Sequence, residues 1–380
     1  MTTFLLHDNA LRSYELRHEI GEPVGDPVAF IEHDGKRLLV GSELEAATFA
    51  AREDVVDEYW TFTALGYEEL VKDLAFPRHL LDAELTLRAL QKLGISSVVV
   101  PPSFQLQSAD YLRSKGIEVV IDAEVWVERR RHKAPWELEG VERAQRAVET
   151  AMQTGARMLR DAEPTSDSRL RYEGEILTAD WIREVMSNEL LSQGAESDEI
   201  LVQSGDACLE GHLLGSGPIL QDRSVIIDCF PRDRRTGVYT DMTRTFVPGT
   251  PTEDLRSLHK HVHAALEIAF DSIRPGAPGP HDKVSDYFHS QGFGTQANHT
   301  GEGAVKEGFT HGLGHGVGLE VHERPYIGRR ADVLQEGDVI AIEPGLYVGG
   351  IGGVRLEDTV LVTDKGVEHL TDPYPYDLEP

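Results

Sequence analysis

The chain has 380 residues, 40% of them hydrophobic, which is enough for a real core and more than one ordinary domain needs. Its formal net charge of −28, from 65 acidic and 37 basic side chains, excludes nucleic acid as a partner, because phosphate binding needs clustered cations. No stretch approaches the ~18 apolar residues of a membrane helix. The start MTTFLLHDNALRSYELR also lacks a cationic segment followed by an apolar run. The expected location is therefore cytoplasmic, with no membrane partner.

Along residues 1–132, runs 27–31, 37–40, 97–100 and 117–121 read as strands, and 81–93 has the apolar spacing of an amphipathic helix. That alternation predicts a small α/β domain without a catalytic constellation. The basic cluster Glu128-Arg129-Arg130-Arg131-His132-Lys133 reads as a solvated junction, and a second domain is expected over 133–380. Helices are predicted at 136–161 and 173–191, then strands at 199–202, 225–228 and 238–246. The order recurs. Thr250-Pro251-Thr252-Glu253 reads as a capping box opening a helix to 273. A shorter helix at 283–290 follows, with strands at 317–321, 339–343 and 354–362. Two similar halves facing each other across one sheet are the expected architecture.

The two cysteines, Cys208 and Cys229, read as free buried thiols. Asn298-His299-Thr300 matches a glycosylation acceptor, an accidental match without a secretory signal. Nine lysines stand against 28 arginines. A lysine-poor, acidic surface fits a halophilic protein, because 1 M salt shortens the Debye length to ~3 Å and screens self-repulsion. Dialysis to low salt is expected to unfold the chain. Full stability there, followed by circular dichroism, would refute this reading.

Within the second domain, Asp228 ends an apolar run and Asp241 lies thirteen residues on. Glu343 ends a second apolar run, with Glu357 fourteen residues on. Each half thus offers two carboxylates on adjacent, hairpin-linked strands, and facing halves would bring four together. Unneutralised, they would be strongly disfavoured by burial and repulsion. Two divalent cations supply the missing charge, and oxygen-rich ligands with a histidine suit ions such as Mn²⁺. The segment His311-Gly312-Leu313-Gly314-His315-Gly316-Val317-Gly318-Leu319-Glu320-Val321-His322-Glu323 holds three histidines among four glycines. It cannot be an ordinary helix. Gly314, Gly316 and Gly318 let the backbone approach a site closely.

These motifs, with Asp241-Met242-Thr243-Arg244-Thr245, Glu343-Pro344-Gly345, Gly353-Val354-Arg355-Leu356-Glu357-Asp358 and Lys133-Ala134-Pro135-Trp136-Glu137, resemble the pita-bread metallopeptidases. That group includes methionine aminopeptidase, aminopeptidase P and prolidase. The resemblance spans about 133–370 and implies an α+β pita-bread, creatinase/aminopeptidase-like catalytic domain with pseudo-twofold halves behind a creatinase-type α/β domain. It implies metal ligation by Asp228, Asp241, His315, Glu343 and Glu357, with Asp241 and Glu357 shared between two ions, Mn²⁺ or else Co²⁺, Zn²⁺ or Fe²⁺. A bridging hydroxide would attack the scissile carbonyl, and Glu343 would shuttle the proton to the leaving amine. His322 and His212 match histidines that contact substrate, His311 would support the site, and Arg355 would orient Asp241 or Glu357. The gap between the two aspartates is about two residues longer than usual in the group, read as a lengthened hairpin loop over 231–237.

The extra N-terminal domain points to the Xaa-Pro-cleaving branch, acting on a small peptide with proline second, and the resemblance implies a homodimer. Two alternatives stay open: a pita-bread hydrolase of other specificity, such as a creatinase-like enzyme, and a non-catalytic binding module on the same fold.

Overall fold

Near-continuous burial along the first strands builds a sheet with both faces covered. The computed structural model describes every residue except Met1, Ala51 and Glu53, and its contacts divide the chain into Met1–Arg130 and Arg131–Pro380. In the first unit the strands are β1 (Thr3–Asp8), β2 (Val28–His33), β3 (Lys36–Gly41), β4 (Glu58–Thr61), β5 (Ser97–Val100) and β6 (Glu118–Ile121). They lie in the order β4-β3-β2-β1-β5-β6. Leu5, Ala29 and Ile31 pack with Leu85 and Leu112 of the helices Leu81–Lys92 and Leu106–Ser114. Their neighbours Leu6, Val28 and Phe30 pack on the other side with Leu16, Ile20 and Trp126. Successive apolar residues pointing to opposite faces are what a sandwiched sheet requires. β1 escaped the sequence reading.

His7 on β1 is buried, with Nδ1 3.0 Å from the Ser108 hydroxyl and Nε2 without a hydrogen-bond partner. Burial lowers its pKa to about 4. A histidine held below its unfolded value of 6.5 stabilises fully above pH 6.5, and that contribution is lost as pH falls towards 4. We expect the urea-unfolding gap between wild type and His7→Phe to narrow by roughly 2–3 kcal/mol from pH 7.5 to 4.5, at about 1.4 kcal/mol per pKa unit. A gap independent of pH would contradict this.

The second unit opens with the helix Pro135–Asp161, where Pro135 occupies the first turn and the Ala134 amide donates to the Glu137 carboxylate at 2.8 Å. A three-stranded ribbon follows: β7 (Glu163–Pro164), β8 (Leu170–Tyr172) and β9 (Glu175–Ile176). This corrects the helix expected over 173–191. Glu173 and Gly174, at φ 51° and 87°, make the β8–β9 turn. The helix begins only at Ala179, capped by Thr178, whose hydroxyl accepts from the Trp181 amide at 3.2 Å.

Beyond β10 (Ala195–Glu196) come β11 (Ile200–Ser204), β12 (Val225–Cys229), β13 (Arg232–Asp233) and β14 (Met242–Phe246). The second half supplies β15 (Gly314–Gly316), β16 (Glu323–Ile327), β17 (Val339–Ile342), β18 (Gly345–Val348), β19 (Gly352–Arg355), β20 (Glu357–Thr363) and β21 (Gly366–His369). One sheet runs β11-β12-β14-β20-β17-β15-β16, with β21 on β20. β14 and β20 meet at its centre, Met242 opposite Asp358 and Thr243 opposite Glu357. Beyond β14 lie β12 and β11, beyond β20 lie β17, β15 and β16, and each half is backed by a helix pair. Pro135–Asp161 and Ala179–Ser192 cover the first half around Met186 and Ile227. Glu253–Ser272 and His281–Ser290 cover the second around Leu266 and Ile342. The two halves are thus related by a pseudo-twofold through the β14·β20 junction.

Other expectations are corrected in detail. The second-half helix starts at Glu253 with Thr252 as its cap, because the Thr250 amide is held by Asp222 at 2.6 Å. Residues 317–321 are not a strand. The strand is Gly314–Gly316, one segment earlier, and the 354–362 run splits at Leu356 into β19 and β20. The segment between Asp228 and Asp241 is not a free loop, since β13 pairs with β10. The second carboxylate pair is not hairpin-linked either, because the separate hairpin β18–β19 intervenes between the neighbouring strands β17 and β20. Cys208 and Cys229 are buried and free. Among the described residues no helix is long and apolar enough to cross a membrane.

Candidate metal centre

Strand pairing sets the site. Asp228 lies on β12 opposite Thr243 of β14, and Asp241 immediately precedes β14. The Asp241 amide donates to the Thr359 hydroxyl at 3.0 Å, and that hydroxyl donates back to the Asp241 carbonyl at 3.0 Å. Glu357 opens β20 and accepts from the Thr243 hydroxyl at 2.7 Å. His315 sits in β15 opposite Ala341 of β17. Glu343 follows β17, with its amide on the Leu313 carbonyl at 2.8 Å. His315 Nε2 is 3.8 Å from Asp241 Oδ2 and 4.0 Å from Glu343 Oε1. Potential ligand atoms of Asp241, His315 and Glu357 all lie within 4.8 Å of one another, and all three residues are buried.

The electrostatics favour a site for cations. Burial, then repulsion from Glu357, Asp228 and Glu343, pushes Asp241 well above the usual carboxylate range. Burial, then Glu343 and Asp228, does the same to Glu357, and burial pushes Glu343 up to about 7 against the pull of Arg355. Asp241 Oδ1 is buried with no hydrogen-bond partner. A carboxylate oxygen so placed is costly unless something positive meets it. His315 is poised to help. Its Nδ1 lies 3.1 Å from the Gly316 carbonyl, which can only accept, so Nε2 carries the lone pair facing the acids. Burial, then the His322 ring, lowers its pKa to about 4, leaving it neutral. Oxygen donors with one neutral imidazole fit hard or borderline divalent ions.

Arg355 is placed differently from expectation. Its guanidinium pairs with Asp228, not with Asp241 or Glu357. The reason is backbone register: the Thr245 hydroxyl bonds both the Arg355 amide and its carbonyl at 2.9 Å, fixing β19 against β14, the strand next to β12. Arg355 reaches Glu357 only through Thr243, whose hydroxyl accepts from Nε at 3.3 Å.

Tyr347 was missed by sequence reasoning. Buried on β18, its hydroxyl lies 3.1 Å from Arg355 Nη1 and 3.0 Å from His311 Nε2, while His311 Nδ1 lies 2.7 Å from the Gly312 carbonyl. Burial, then Arg355, lowers the His311 pKa to about 3. A signal existed: the period-two pattern puts Gly345 and Tyr347 on one face of β18, and a Cβ at Gly345 would meet the tyrosine hydroxyl at 2.6 Å. The His322 ring stands perpendicular to that of His315, centroids 4.3 Å apart.

A cavity of about 500 Å³ opens over these groups. All nine residues singled out in the sequence line it, including His212, which is exposed. Leu201, Phe230 and Val321 give it an apolar wall, and Glu199, Gly211 and Thr310 complete it.

The sequence profile of metallopeptidase family M24 matches residues 139–364. The Xaa-Pro dipeptidase of Pyrococcus furiosus is 41% identical over 135 residues, 35% of each chain. A peptidase of Bacillus subtilis, YqhT, is 29% identical over 224 residues, 57% of this chain and 60% of that one. The matched segment thus spans about a third of the length of the first of these relatives. The fold is similar over nearly the whole chain to two solved structures. One is a prolidase from Pyrococcus horikoshii OT3 (TM-score 0.73, 24% identity, 100% of this chain and 95% of that one). The other is an Xaa-Pro dipeptidase from Bacillus anthracis (TM-score 0.77, 21% identity, 99% and 94%). The expected architecture, an α/β domain followed by a pita-bread domain, is borne out.

Proposed function

The chain belongs to metallopeptidase family M24, and on that premise we propose that it is an Xaa-Pro peptidase of prolidase or aminopeptidase P type. It would release the N-terminal residue before a proline. The observation that carries this is that four carboxylates and His315 line one cavity, with Asp241, His315 and Glu357 close enough to share an ion. Asp228, Asp241, His315, Glu343 and Glu357 would hold two divalent cations, Mn²⁺ by preference. Four carboxylates and the Arg355 guanidinium leave three negative charges, which one divalent ion cannot balance. When bound, the ions supply Lewis-acid polarisation of the carbonyl and a lowered pKa for water.

The chain's own residues do the rest. Glu343 would take a proton from the attacking water and return it to the prolyl nitrogen as it leaves. His322 and His212 face the cavity, where they can donate to a developing oxyanion. Arg355 holds Asp228 and, through Tyr347, fixes the ring of His311. Leu201, Phe230 and Val321 offer an apolar wall suited to a pyrrolidine ring. An Xaa-Pro bond has no amide N–H, so a site that grips the carbonyl and both flanking groups can accept what proteases holding that hydrogen cannot. The relatives named Xaa-Pro dipeptidase support the proline specificity.

Ala-Pro, Ala-Pro-Ala and Ala-Ala assayed side by side, in high salt with Mn²⁺, test the reading. Alanine release should require proline in the second position. Absence of proline-dependent release from either proline peptide would sink the proposal.

A further inference from the structure

Arg244, on β14, is fully buried, and its guanidinium is saturated. Nε donates to the Pro375 carbonyl at 3.0 Å. Nη1 donates to the carbonyls of Thr243 at 3.0 Å and Glu357 at 2.7 Å. Nη2 donates to the Tyr374 carbonyl at 2.7 Å and to Asp358 Oδ1 at 2.8 Å. A guanidinium has five N–H donors, and all five are spent. The Tyr376 ring lies 4.4 Å from it, and the Tyr376 hydroxyl donates to the other Asp358 oxygen.

One cation therefore ties three backbones: β14, β20 and the segment 374–376. The first two carry Thr243 and Glu357, whose side chains bond each other in the site. The third contains no helix or strand. Two more bonds fasten it, from the Val247 amide to the Leu378 carbonyl at 2.8 Å and between His259 Nε2 and the Tyr376 carbonyl at 2.6 Å. A segment without a hydrogen-bond ladder of its own is held by the charge that sets the β14·β20 register, and this register fixes the spacing of Asp241 and Glu357.

We propose that residues 374–378 form a positioning strap for the metal ligands, acting through Arg244 and Asp358. The inference rests on the reading of Asp241 and Glu357 as shared ligands. A docked strap holds the two carboxylates at the spacing the cations need. By linkage, bound cations must then hold the strap, because a coupling free energy between two sites acts equally in both directions.

That reciprocity supplies the test. Hydrogen exchange of the full chain over residues 372–380 and at Val247 should slow at least about 5-fold when Mn²⁺ saturates the site. A purely structural anchor would show no such response. Tyr376→Phe keeps the ring and loses only the bond to Asp358. It should weaken Mn²⁺ binding about 10-fold, in the range expected for groups that support a ligand, with KM for an Xaa-Pro peptide unchanged at saturating Mn²⁺. Arg244→Lys, with three donors for five, should weaken it further. Exchange indifferent to Mn²⁺, together with Tyr376→Phe affinity within twofold of wild type, overturns the strap and leaves the ligand assignment standing. A wild-type chain that binds no Mn²⁺ overturns both.

Discussion

Asp241→Asn should abolish Mn²⁺-dependent hydrolysis while leaving the fold intact. The asparagine keeps the shape and both backbone bonds to Thr359, which do not involve the side chain. It removes one of four carboxylates and turns an amide towards the cations. Losing several kcal/mol of charge stabilisation, at about 1.4 kcal/mol per decade, lowers kcat/KM on the order of 10³-fold. Stability without cations should move the other way. Asp241's pKa is raised in the fold, so its stabilising contribution is present below its unfolded value and lost as pH rises. In a chelator the buried Asp241 carboxyl therefore becomes a growing liability as pH rises, and the asparagine variant should melt no lower than wild type. Undiminished activity, or an unfolded variant, would contradict the assignment.

Gly314→Ala should be among the most damaging single methyls in the second unit. A Cβ there would lie 2.0 Å from the Ala341 carbonyl oxygen and 3.1 Å from its carbon, backbone atoms that cannot turn aside. Relief requires β15 to part from β17, breaking the pairs that align His315 with Ala341. The expected cost is about 3 kcal/mol, at the upper end for overpacking, with loss of Mn²⁺ binding because His315 moves. Gly328→Ala, where nothing lies within 4 Å, is the control and should stay within about 0.5 kcal/mol. Equal melting temperatures for the two variants would refute the close-approach account.

The same glycines show how far the sequence could be read. Their density in 312–318 marked a backbone that neighbours approach, and a Cβ at Gly316 would indeed meet the Arg324 carbonyl at 2.4 Å. The strand was nonetheless placed at 317–321, because Val317, Leu319 and Val321 alternate, whereas the true strand Gly314–Gly316 has one side chain and no pattern to read. The carboxylate pairs were legible because each follows or interrupts an apolar run. Their linkage was not. Whether neighbouring strands are joined directly depends on the β18–β19 hairpin, a non-local outcome. Arg355 was assigned to the wrong acid for a similar reason: its partner is set by Thr245 on another strand, 110 residues away. Tyr347 had only the faint signal of sharing a strand face with Gly345, and one tyrosine in a buried strand looks like core until its hydroxyl is seen between His311 and Arg355.

The proposed hydrolysis depends on cations in the cavity. Equilibrium dialysis of the chelator-stripped chain against Mn²⁺, with metal counted per chain, tests this most directly. Two ions per wild-type chain and at most one in Asp241→Asn are the result expected of the proposed centre. Fewer than two in wild type, or two in both, would contradict it.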